Sequence, residues 1–330
     1  MKFLVVGLGS MGKRRVRCLK ALDENDIVGF DLRPDRCAEA KTKYGIATVS
    51  DWKKAEQLGA DVWIISTPPD LHIKYGLMAA KNNIHFFTEA NVTDEQTPEL
   101  IALLAKKKIV GVPSCTLRYF RGPKKIKEII KAGKIGRPLN FTYHSGQYLP
   151  DWHPWESYKD FYVSKRETGA CREIVPFELV WLMDIFGNVE KLSCFKDKLS
   201  DLEADIDDVY HVLLRFGNGM LGHILVDVIA RPAVRLFRVN GSEGSVEWDH
   251  GHNKVRLFEV KTGKWEDIDL GQAQVENGYI HPEEPYIEEV ADFVAAIRGK
   301  NPYPYTFQDD EHVLDLLVRA EESSLRGVHL

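Results

Sequence analysis

Ionisable side chains that could move protons are concentrated between residues 146 and 178. Glu173 is a candidate general base, because partial burial raises the pKa of a carboxyl group toward neutrality. His153 and Lys165 are further acid/base candidates, since imidazole titrates near neutral pH and a lysine can exchange a proton at a substrate hydroxyl. Arg172, next to Glu173, could hold an anionic substrate through two parallel hydrogen bonds, or the two side chains could simply pair.

Aromatic residues in the same region could bind a ring-shaped substrate. Tyr148 and Trp152 offer flat faces for a sugar, although aromatic side chains in a long connection more often form a core. Glu178 is a further candidate for substrate binding, with a structural alternative. Pro176 fits the first turn of a helix, and Glu178 would then lie near the helix N-terminus and complement its dipole.

A second group of candidates lies at the start of the chain and predicts a dinucleotide site. Gly7, Gly9 and Gly12, with Ser10 and Met11 between them, have the spacing GxGxxG directly after an apolar run. In such a turn the first glycine permits the tight bend, the second lets backbone N–H groups approach a pyrophosphate, and the third lets helix and strand pack closely.

The end of the next apolar run indicates which dinucleotide binds. Asp31 could accept hydrogen bonds from the adenosine ribose and would repel a 2′-phosphate, which favours NAD over NADP. Arg33, two residues later, could stack on adenine or accept that phosphate, so NADP stays possible.

The elements that must position these residues fall into two groups. Short runs rich in Val and Ile alternate with segments of helical length up to residue 120, which predicts a doubly wound parallel sheet, the Rossmann arrangement. The runs are 2–6, 27–31, 46–49, 62–66, 84–88 and 109–113.

After a helical segment at 121–138 the pattern changes. Runs at 210–216, 220–229, 234–241, 244–249 and 254–260, separated by turn residues, predict a mostly antiparallel sheet. Helical periodicity returns at 285–299 and 309–325. We therefore predict an α/β chain with a dinucleotide-binding domain at 1–120 and an α+β substrate-binding and oligomerisation domain at 121–330. The last helix could pack back on the first domain.

Composition excludes several classes of protein. With 330 residues, 44% hydrophobic and 28% charged, the chain is globular, and a net charge of −5 offers no basic surface for nucleic acid. No apolar run reaches the roughly 20 residues of a membrane span, and the first apolar run is too short for a signal peptide, so we expect a cytoplasmic protein. Five scattered cysteines predict free thiols, with no disulfide framework and no metal site.

Five motifs occur in order along the whole chain: "GLGSMG", "STPPDLH" (66–72), "TEA" (88–90), "LRYFRGPKKIKEIIKAGKIGRPL" (117–139) and "PYIEEVADFVAAIRG" (285–299). Together they resemble the glucose-fructose oxidoreductase / inositol dehydrogenase family of NAD(P)-dependent sugar oxidoreductases. The resemblance implies a carbohydrate substrate bound between the two domains, and a homodimer or homotetramer formed through the C-terminal sheet. It also implies that Thr67, Pro68 and His72 lie beside the ribose and nicotinamide, and that Glu89 and Arg118 lie near the cofactor.

The chain departs from the family where catalysis is expected. The family pattern Glu-Lys-Pro is here Glu89-Ala90-Asn91, so the lysine that assists proton transfer is absent. A second family motif carries an aspartate and a histidine; alignment places Ile174 or Glu173 at the aspartate, and no alignment supplies the histidine.

The function expected from these residues is hydride transfer at a carbinol carbon of a sugar or sugar derivative, which could be acidic or nucleotide-linked, with an atypical acid/base set. Two alternatives stay open. One is an epimerase, lyase or hydrolase that retains NAD and uses transient oxidation; the other is a homologue that binds the dinucleotide without catalysis.

Overall fold

The computed structural model describes residues 1–93, 95–152, 156–272, 275, 276, 279 and 281–330. The chain forms two compact units, one of residues 1–116 with 273–312 and the other of residues 117–272 with 313–330. The segment 273–312 therefore belongs to the same unit as residues 1–116, whereas the sequence pattern predicts a single boundary at residue 120.

The first unit contains a parallel sheet in the order β3-β2-β1-β4-β5-β6. The central strands β1, β2 and β4 are buried on both faces because helices cover both sides, which explains their continuous apolar runs. The bounds are β1 Phe3–Val6, β2 Ile27–Phe30, β3 Ala47–Val49, β4 Val62–Ile65, β5 His85–Thr88 and β6 Gly111–Pro113. The predicted Rossmann sheet is confirmed.

Helices connect these strands and complete the unit. They are α1 Ser10–Ala21, α2 Pro34–Tyr44, α3 Trp52–Glu56, α4 His72–Lys81, α5 Thr97–Leu104 and α8 Glu284–Ile297. Helix α8 comes from the late segment of the chain and packs on α1. Phe307, at the start of α9 (Phe307–Arg326), lies 5.9 Å from the Phe86 ring. The start of α9 thus packs within the first unit, and the packing of the whole last helix on that part of the chain stays a prediction.

The second unit contains a sheet in the order β14-β13-β12-β11-β7-β10-β9-β8. Strands β7 and β10 pair in parallel and the other neighbours pair antiparallel, which confirms a mostly antiparallel sheet. The bounds are β7 Pro138–Gly146, β8 Val189–Asp197, β9 Val209–Phe216, β10 Leu221–Asp227, β11 Val234–Gly241, β12 Gly244–Asp249, β13 Lys254–Glu259 and β14 Lys264–Asp269.

One face of this sheet is covered by α6 (Arg121–Lys131) and α7 (Cys171–Phe186). Trp181 of α7 packs edge-on against Tyr143 and Trp248 of the sheet, with ring centroids 5.4 and 5.9 Å apart. The helix begins five residues before Pro176, so the expectation that this proline occupies the first turn is wrong. Pro176 lies in the helix interior, where it lacks the N–H that would bond to the Arg172 carbonyl.

The other face of the sheet carries exposed apolar side chains among polar ones. Phe195 is 74% exposed and Leu213 is 55% exposed. Among the described residues, no helix has both the length and the apolar character needed to cross a bilayer.

Candidate functional site

The glycine turn after β1 has the geometry of a dinucleotide-binding loop. Gly7 has a φ of +94°, and a Cβ atom there would lie 2.5 Å from the Ser66 carbonyl oxygen. A Cβ on Gly12 would lie 1.8 Å from the Gly7 carbonyl oxygen. Gly9 is the N-cap of α1 and has no side chain to cap the helix. The backbone N–H groups of the first turn, which include those of Ser10 and Met11, can therefore donate to a ligand.

Asp31 is positioned by the backbone of this loop. Its carboxylate accepts a 2.8 Å hydrogen bond from Leu8 N and a 2.9 Å bond from Arg33 N. The Arg33 guanidinium turns outward and pairs with exposed Asp35 at 2.6 Å. Sequence reasoning missed Arg36, whose Nη1 lies 3.7 Å from the Asp31 carboxylate and 3.5 Å from the position of a Cβ on Gly9. Arg36 therefore places a cation next to the glycine turn.

The end of β4 contributes the second part of the candidate cofactor site. Thr67 Oγ1 is buried and has no hydrogen-bond partner among the described residues, and Pro68 is exposed. His72 at the start of α4 is 1% exposed, and its Nε2 donates to the Thr67 carbonyl at 2.9 Å. A buried hydroxyl without a partner among the described residues, beside glycines that allow the turn to pack tightly against β4 and α1, fits the binding of a dinucleotide.

Glu89, at the end of β5, is held by Arg15 of α1. Arg15 Nε and Nη2 donate to the two carboxylate oxygens at 2.8 and 2.7 Å, and Ser66 Oγ donates at 2.8 Å. Burial opposes ionisation of Glu89, but the charge and hydrogen bonds of Arg15 outweigh it and hold the pKa below its ordinary value. Glu89 is therefore an ionised positioning group, not a proton donor at neutral pH.

The same arginine also binds a residue that the sequence did not suggest. Arg15 Nη1 donates to Glu289 of α8 at 2.9 Å, and both side chains are fully buried. Glu289 accepts further hydrogen bonds from Ser114 Oγ at 2.9 Å, Cys115 N at 2.6 Å, Thr116 Oγ1 at 2.6 Å and Tyr303 OH at 3.2 Å. This network fixes the ends of β5 and β6 against α1 and α8.

Asn91, where the family pattern has proline, lies in a buried polar chain. Its side chain faces His72 Nδ1 at 3.1 Å and the Asp310 carboxyl at 2.6 Å. Tyr305 OH donates to the other Asp310 oxygen at 3.0 Å. Burial raises the pKa of Asp310 to about 7 and lowers that of His72.

In the second unit, Glu173 has the properties expected of a general base. It lies in the first turn of α7 and accepts a 2.9 Å hydrogen bond from Tyr162 OH. Its Oε2 is inaccessible to solvent and has no partner among the described residues, although the residue as a whole is partly exposed. Burial raises the pKa of Glu173 to about 7 against the opposing effect of Tyr162.

The neighbouring candidates are arranged differently from the sequence-based expectation. Arg172 does not pair with Glu173; its Nε donates to Glu321 of α9 at 2.8 Å and its Nη1 donates to the Glu167 carbonyl at 2.5 Å. These bonds give Arg172 a structural role in this unit. Lys165 is exposed. His153 lies outside the described residues.

Glu178 does not lie at a helix N-terminus, because α7 begins well before it. The residue is fully buried and accepts hydrogen bonds from Tyr143 OH at 2.7 Å, Ser145 Oγ at 3.0 Å, Trp181 Nε1 at 2.8 Å and Arg235 Nη2 at 2.9 Å. Four donors occupy both carboxylate oxygens, so Glu178 organises the core between helix and sheet.

Three further predicted residues make contacts within the second unit. The Arg231 guanidinium lies 3.1 Å from the Tyr148 ring centroid, and Trp152 Nε1 donates to the Gln147 carbonyl at 3.1 Å. Arg118 Nε donates to the Val180 carbonyl at 3.2 Å. The substrate role of the two aromatic residues and the cofactor role of Arg118 stay predictions.

Within the described ranges, no cluster of three or more His, Cys, Asp or Glu side chains could hold a metal ion. The five cysteines are buried free thiols.

Comparison with known proteins identifies the class of molecule. An oxidoreductase family with an NAD-binding Rossmann fold matches residues 1–113, and the GFO/IDH/MocA C-terminal domain matches residues 124–247. The chain belongs to this GFO/IDH/MocA oxidoreductase family. The predicted family, enzyme class and NAD-binding domain are thereby confirmed.

Individual relatives cover much of the chain. Myo-inositol 2-dehydrogenase of Thermotoga maritima is 24% identical over 98% of this chain and 96% of its own length. Levoglucosan dehydrogenase of Pseudarthrobacter phenanthrenivorans is 24% identical over 67% of this chain and 64% of its own.

Solved structures share the fold. An oxidoreductase from Agrobacterium radiobacter, in complex with NAD⁺, L-tartaric acid and magnesium, has a TM-score of 0.88 at 16% identity and covers 100% of this chain and 98% of its own. A levoglucosan dehydrogenase in complex with NADH has a TM-score of 0.86 at 20% identity, with the same coverage.

Proposed function

We propose that this protein oxidises or reduces a sugar or sugar derivative at a carbinol carbon, with NAD as the hydride carrier and Glu173 as the general base. The observation that carries the proposal is the buried Glu173 carboxyl, whose Oε2 has no partner in the described part of the chain and whose pKa lies near 7. The named activities of the two relatives, on myo-inositol and levoglucosan, support a polyhydroxylated substrate.

The bound NAD supplies the acceptor for the hydride, and the protein must hold it and remove the hydroxyl proton. The glycine turn and Asp31 would hold the pyrophosphate and the adenosine ribose, and Thr67 Oγ1 would gain a partner from the cofactor. Ionised Glu173 would accept the substrate proton. Tyr162, through its hydrogen bond, keeps this carboxylate oriented.

The test combines substrate screening with the pH dependence of the reaction. Purified protein is assayed with NAD against polyols, sugars, uronates and nucleotide sugars by reduced-nicotinamide absorbance. Oxidation should rise as pH increases through about 7, because Glu173 must lose its proton before it can act as a base. Glu173→Gln should reduce kcat by about 100-fold or more with little change in NAD affinity.

Two variants separate this role from its alternatives. Tyr162→Phe removes a bond that lowers the pKa of Glu173, so the pH profile should move upward while activity at high pH is retained. Lys165→Met tests the other described candidate and should have little effect. A Glu173→Gln enzyme with unchanged kcat, or a lysine variant that alone abolishes turnover, would refute the assignment.

A second function, dinucleotide binding without catalysis, is favoured by one observation. Ala90 replaces the family's lysine, and Asn91 takes part in a buried polar chain instead of facing solvent. Tight NAD binding with no turnover on any substrate, and no effect of Glu173→Gln, would support this function. NAD that co-purifies while product forms without net reduction would instead support an epimerase, lyase or hydrolase.

We also propose a homodimer or homotetramer formed through the open face of the second sheet. Phe195, Leu213, Leu221 and Leu236 leave apolar surface on that face, with exposures of 74, 55, 49 and 46%. We assign the protein to the cytoplasm, because buried free cysteines are ordinary in a reducing compartment.

A further inference from the structure

We propose that His72, Asn91 and Asp310 share a single buried proton and thereby act as positioning residues for the Thr67 end of the dinucleotide site. All three side chains lie within the first unit and are 1, 3 and 4% exposed. The inference concerns cofactor binding, and it rests on the part of the proposed function that places the cofactor beside Thr67.

The number of protons shared by these side chains follows from the Thr67 carbonyl, the acceptor at one end of their hydrogen-bonded series. The Thr67 carbonyl can only accept, so His72 Nε2 must carry a hydrogen at its 2.9 Å contact. A neutral imidazole then presents Nδ1 as an acceptor toward Asn91, 3.1 Å away. An imidazolium would present a donor there instead.

The side-chain amide of Asn91 links the protonation state of His72 to that of Asp310. If His72 is an imidazolium, the Asn91 oxygen accepts from it and the amide NH₂ donates to an ionised Asp310. If His72 is neutral, the amide is turned by 180°, its NH₂ donates to Nδ1, and its oxygen must accept from a protonated Asp310. The two arrangements contain the same number of protons. One proton therefore satisfies every hydrogen bond of the chain.

Burial selects between the two arrangements. The imidazolium form places two charges in a region closed to water, whereas the second form contains only neutral groups. Burial lowers the pKa of His72, and it raises that of Asp310 to about 7 even when the Asn91 NH₂ and Tyr305 OH both donate to the carboxylate, as in the first arrangement. Other charges act on the pair as well: Glu89 and Asp70 on His72, and Asp309 on Asp310. Arg15 neutralises Glu89.

Loss of the shared proton removes the hydrogen bond between His72 and the Thr67 carbonyl, next to the proposed cofactor site. Ionised Asp310 attracts the Asn91 NH₂, so the amide oxygen faces His72 and selects the Nδ1–H tautomer. His72 Nε2 then carries a lone pair opposite the Thr67 carbonyl oxygen, where there was a hydrogen bond. The repulsion displaces the Thr67 backbone, and dinucleotide affinity falls.

The test measures NAD binding by calorimetry between pH 6 and pH 8 in the full-length protein. The Kd should rise about tenfold over this range, because one proton with a midpoint near 7 is lost. In Asp310→Asn, the new amide donates to Asn91 and accepts from Tyr305 without a titrating proton. Its Kd should stay at the low-pH value throughout.

Asp315→Asn is the matched control, an exposed carboxylate on the same helix, and should behave as wild type. A Kd of wild type that does not change with pH, or an Asp310→Asn protein that keeps the wild-type dependence, overturns the proposal.

A second measurement needs neither cofactor nor activity. The infrared difference spectrum of wild type minus Asp310→Asn should contain the carbonyl band of a protonated carboxyl group at pH 6 and lose it by pH 8. In Asn91→Ala, which cannot transmit the change, Kd should be raised at pH 6 and nearly independent of pH. If no protonated carboxyl band is assigned to Asp310 at pH 6, Asp310 does not carry the proton and the proposed neutral arrangement is refuted.

Discussion

Replacement of Arg15 by methionine should destabilise the first unit strongly, because it removes the cation that pairs with fully buried Glu289 and with Glu89, whose side chain is 12% exposed. Arg15 is fully buried and makes three charge-assisted hydrogen bonds, two to Glu89 and one to Glu289. Loss of one partner from a buried ion pair costs about 3–5 kcal/mol, chiefly through the charge left behind. We expect a decrease of about 4 kcal/mol in the free energy of unfolding at pH 7.5.

The two carboxylates should not contribute equally to this cost. Without Arg15, Glu289 keeps hydrogen bonds from Ser114, Cys115, Thr116 and Tyr303. Glu89 keeps only Ser66 among the partners described. Glu89→Gln in the Arg15→Met background should therefore restore about 2 kcal/mol, and Glu289→Gln should restore less.

The pH dependence has a definite sign. In the wild type the pKa of Glu89 is depressed, so its contribution to stability is present above the ordinary glutamate pKa and is lost as pH falls through the folded value. In Arg15→Met, Arg15 no longer offsets burial, which is the largest remaining influence on Glu89, so its pKa should rise. The penalty of the substitution should therefore shrink as pH is lowered from 7.5 toward 5.

Urea unfolding followed by tryptophan fluorescence measures these differences. Lys13→Met, which removes a surface pair with Glu39 at 2.8 Å, is the control and should change stability by about 0.5 kcal/mol or less. A loss below about 1 kcal/mol in Arg15→Met, or a Glu89→Gln substitution that restores nothing, would refute the reasoning.

Three further predictions follow from particular contacts. Gly12→Ala should weaken NAD binding by at least about tenfold, because its Cβ would meet the Gly7 carbonyl at 1.8 Å. Gly251→Ala, whose Cβ would lie 3.4 Å from the flexible Asp249 carboxylate, should bind normally in the same calorimetric assay. Phe195→Glu should shift the protein toward monomer in light scattering, since it places a charge on a side chain that is 74% exposed on the apolar sheet face. Asp310→Asn should lessen the decline in stability between pH 5 and pH 8, because the raised pKa of Asp310 stabilises the folded state at low pH and this contribution is lost as pH rises through about 7; thermal unfolding at each pH measures it.

The parallel sheet was predictable because its strands are continuous apolar runs followed by glycine and helix signals. Three strands of the second unit were not predicted: β7, β8 and β14. The side chains of β14 are nearly all exposed, so its sequence "KWEDID" has no apolar face to reveal it. Strands at the edge of a sheet need only one neighbour, and their composition is correspondingly weak evidence.

The site was predictable only where residues near in sequence act together. The glycine turn and Asp31 follow from local spacing, and Glu173 was proposed as a carboxylate next to Arg172 in the segment that the family resemblance aligns with the catalytic motif. Glu289 and Asp310 could not be found this way, because their partners Arg15 and Asn91 lie 274 and 219 residues away along the chain. In the sequence, a buried carboxylate on an amphipathic helix looks the same as a solvent-exposed one. Only the tertiary structure shows which side chains it contacts.

The discontinuous composition of the first unit also constrains how the protein can be made. When residues 1–116 have been translated, every strand of the parallel sheet exists, but Glu289 and Phe307 have not yet been synthesised. Until then Arg15 lacks one carboxylate and the Phe86 ring lacks its neighbour. During translation the first unit therefore stays incompletely packed until the whole second sheet has been synthesised. A fragment that ends at residue 120 should consequently bind chaperones or aggregate instead of folding into an independent NAD-binding module.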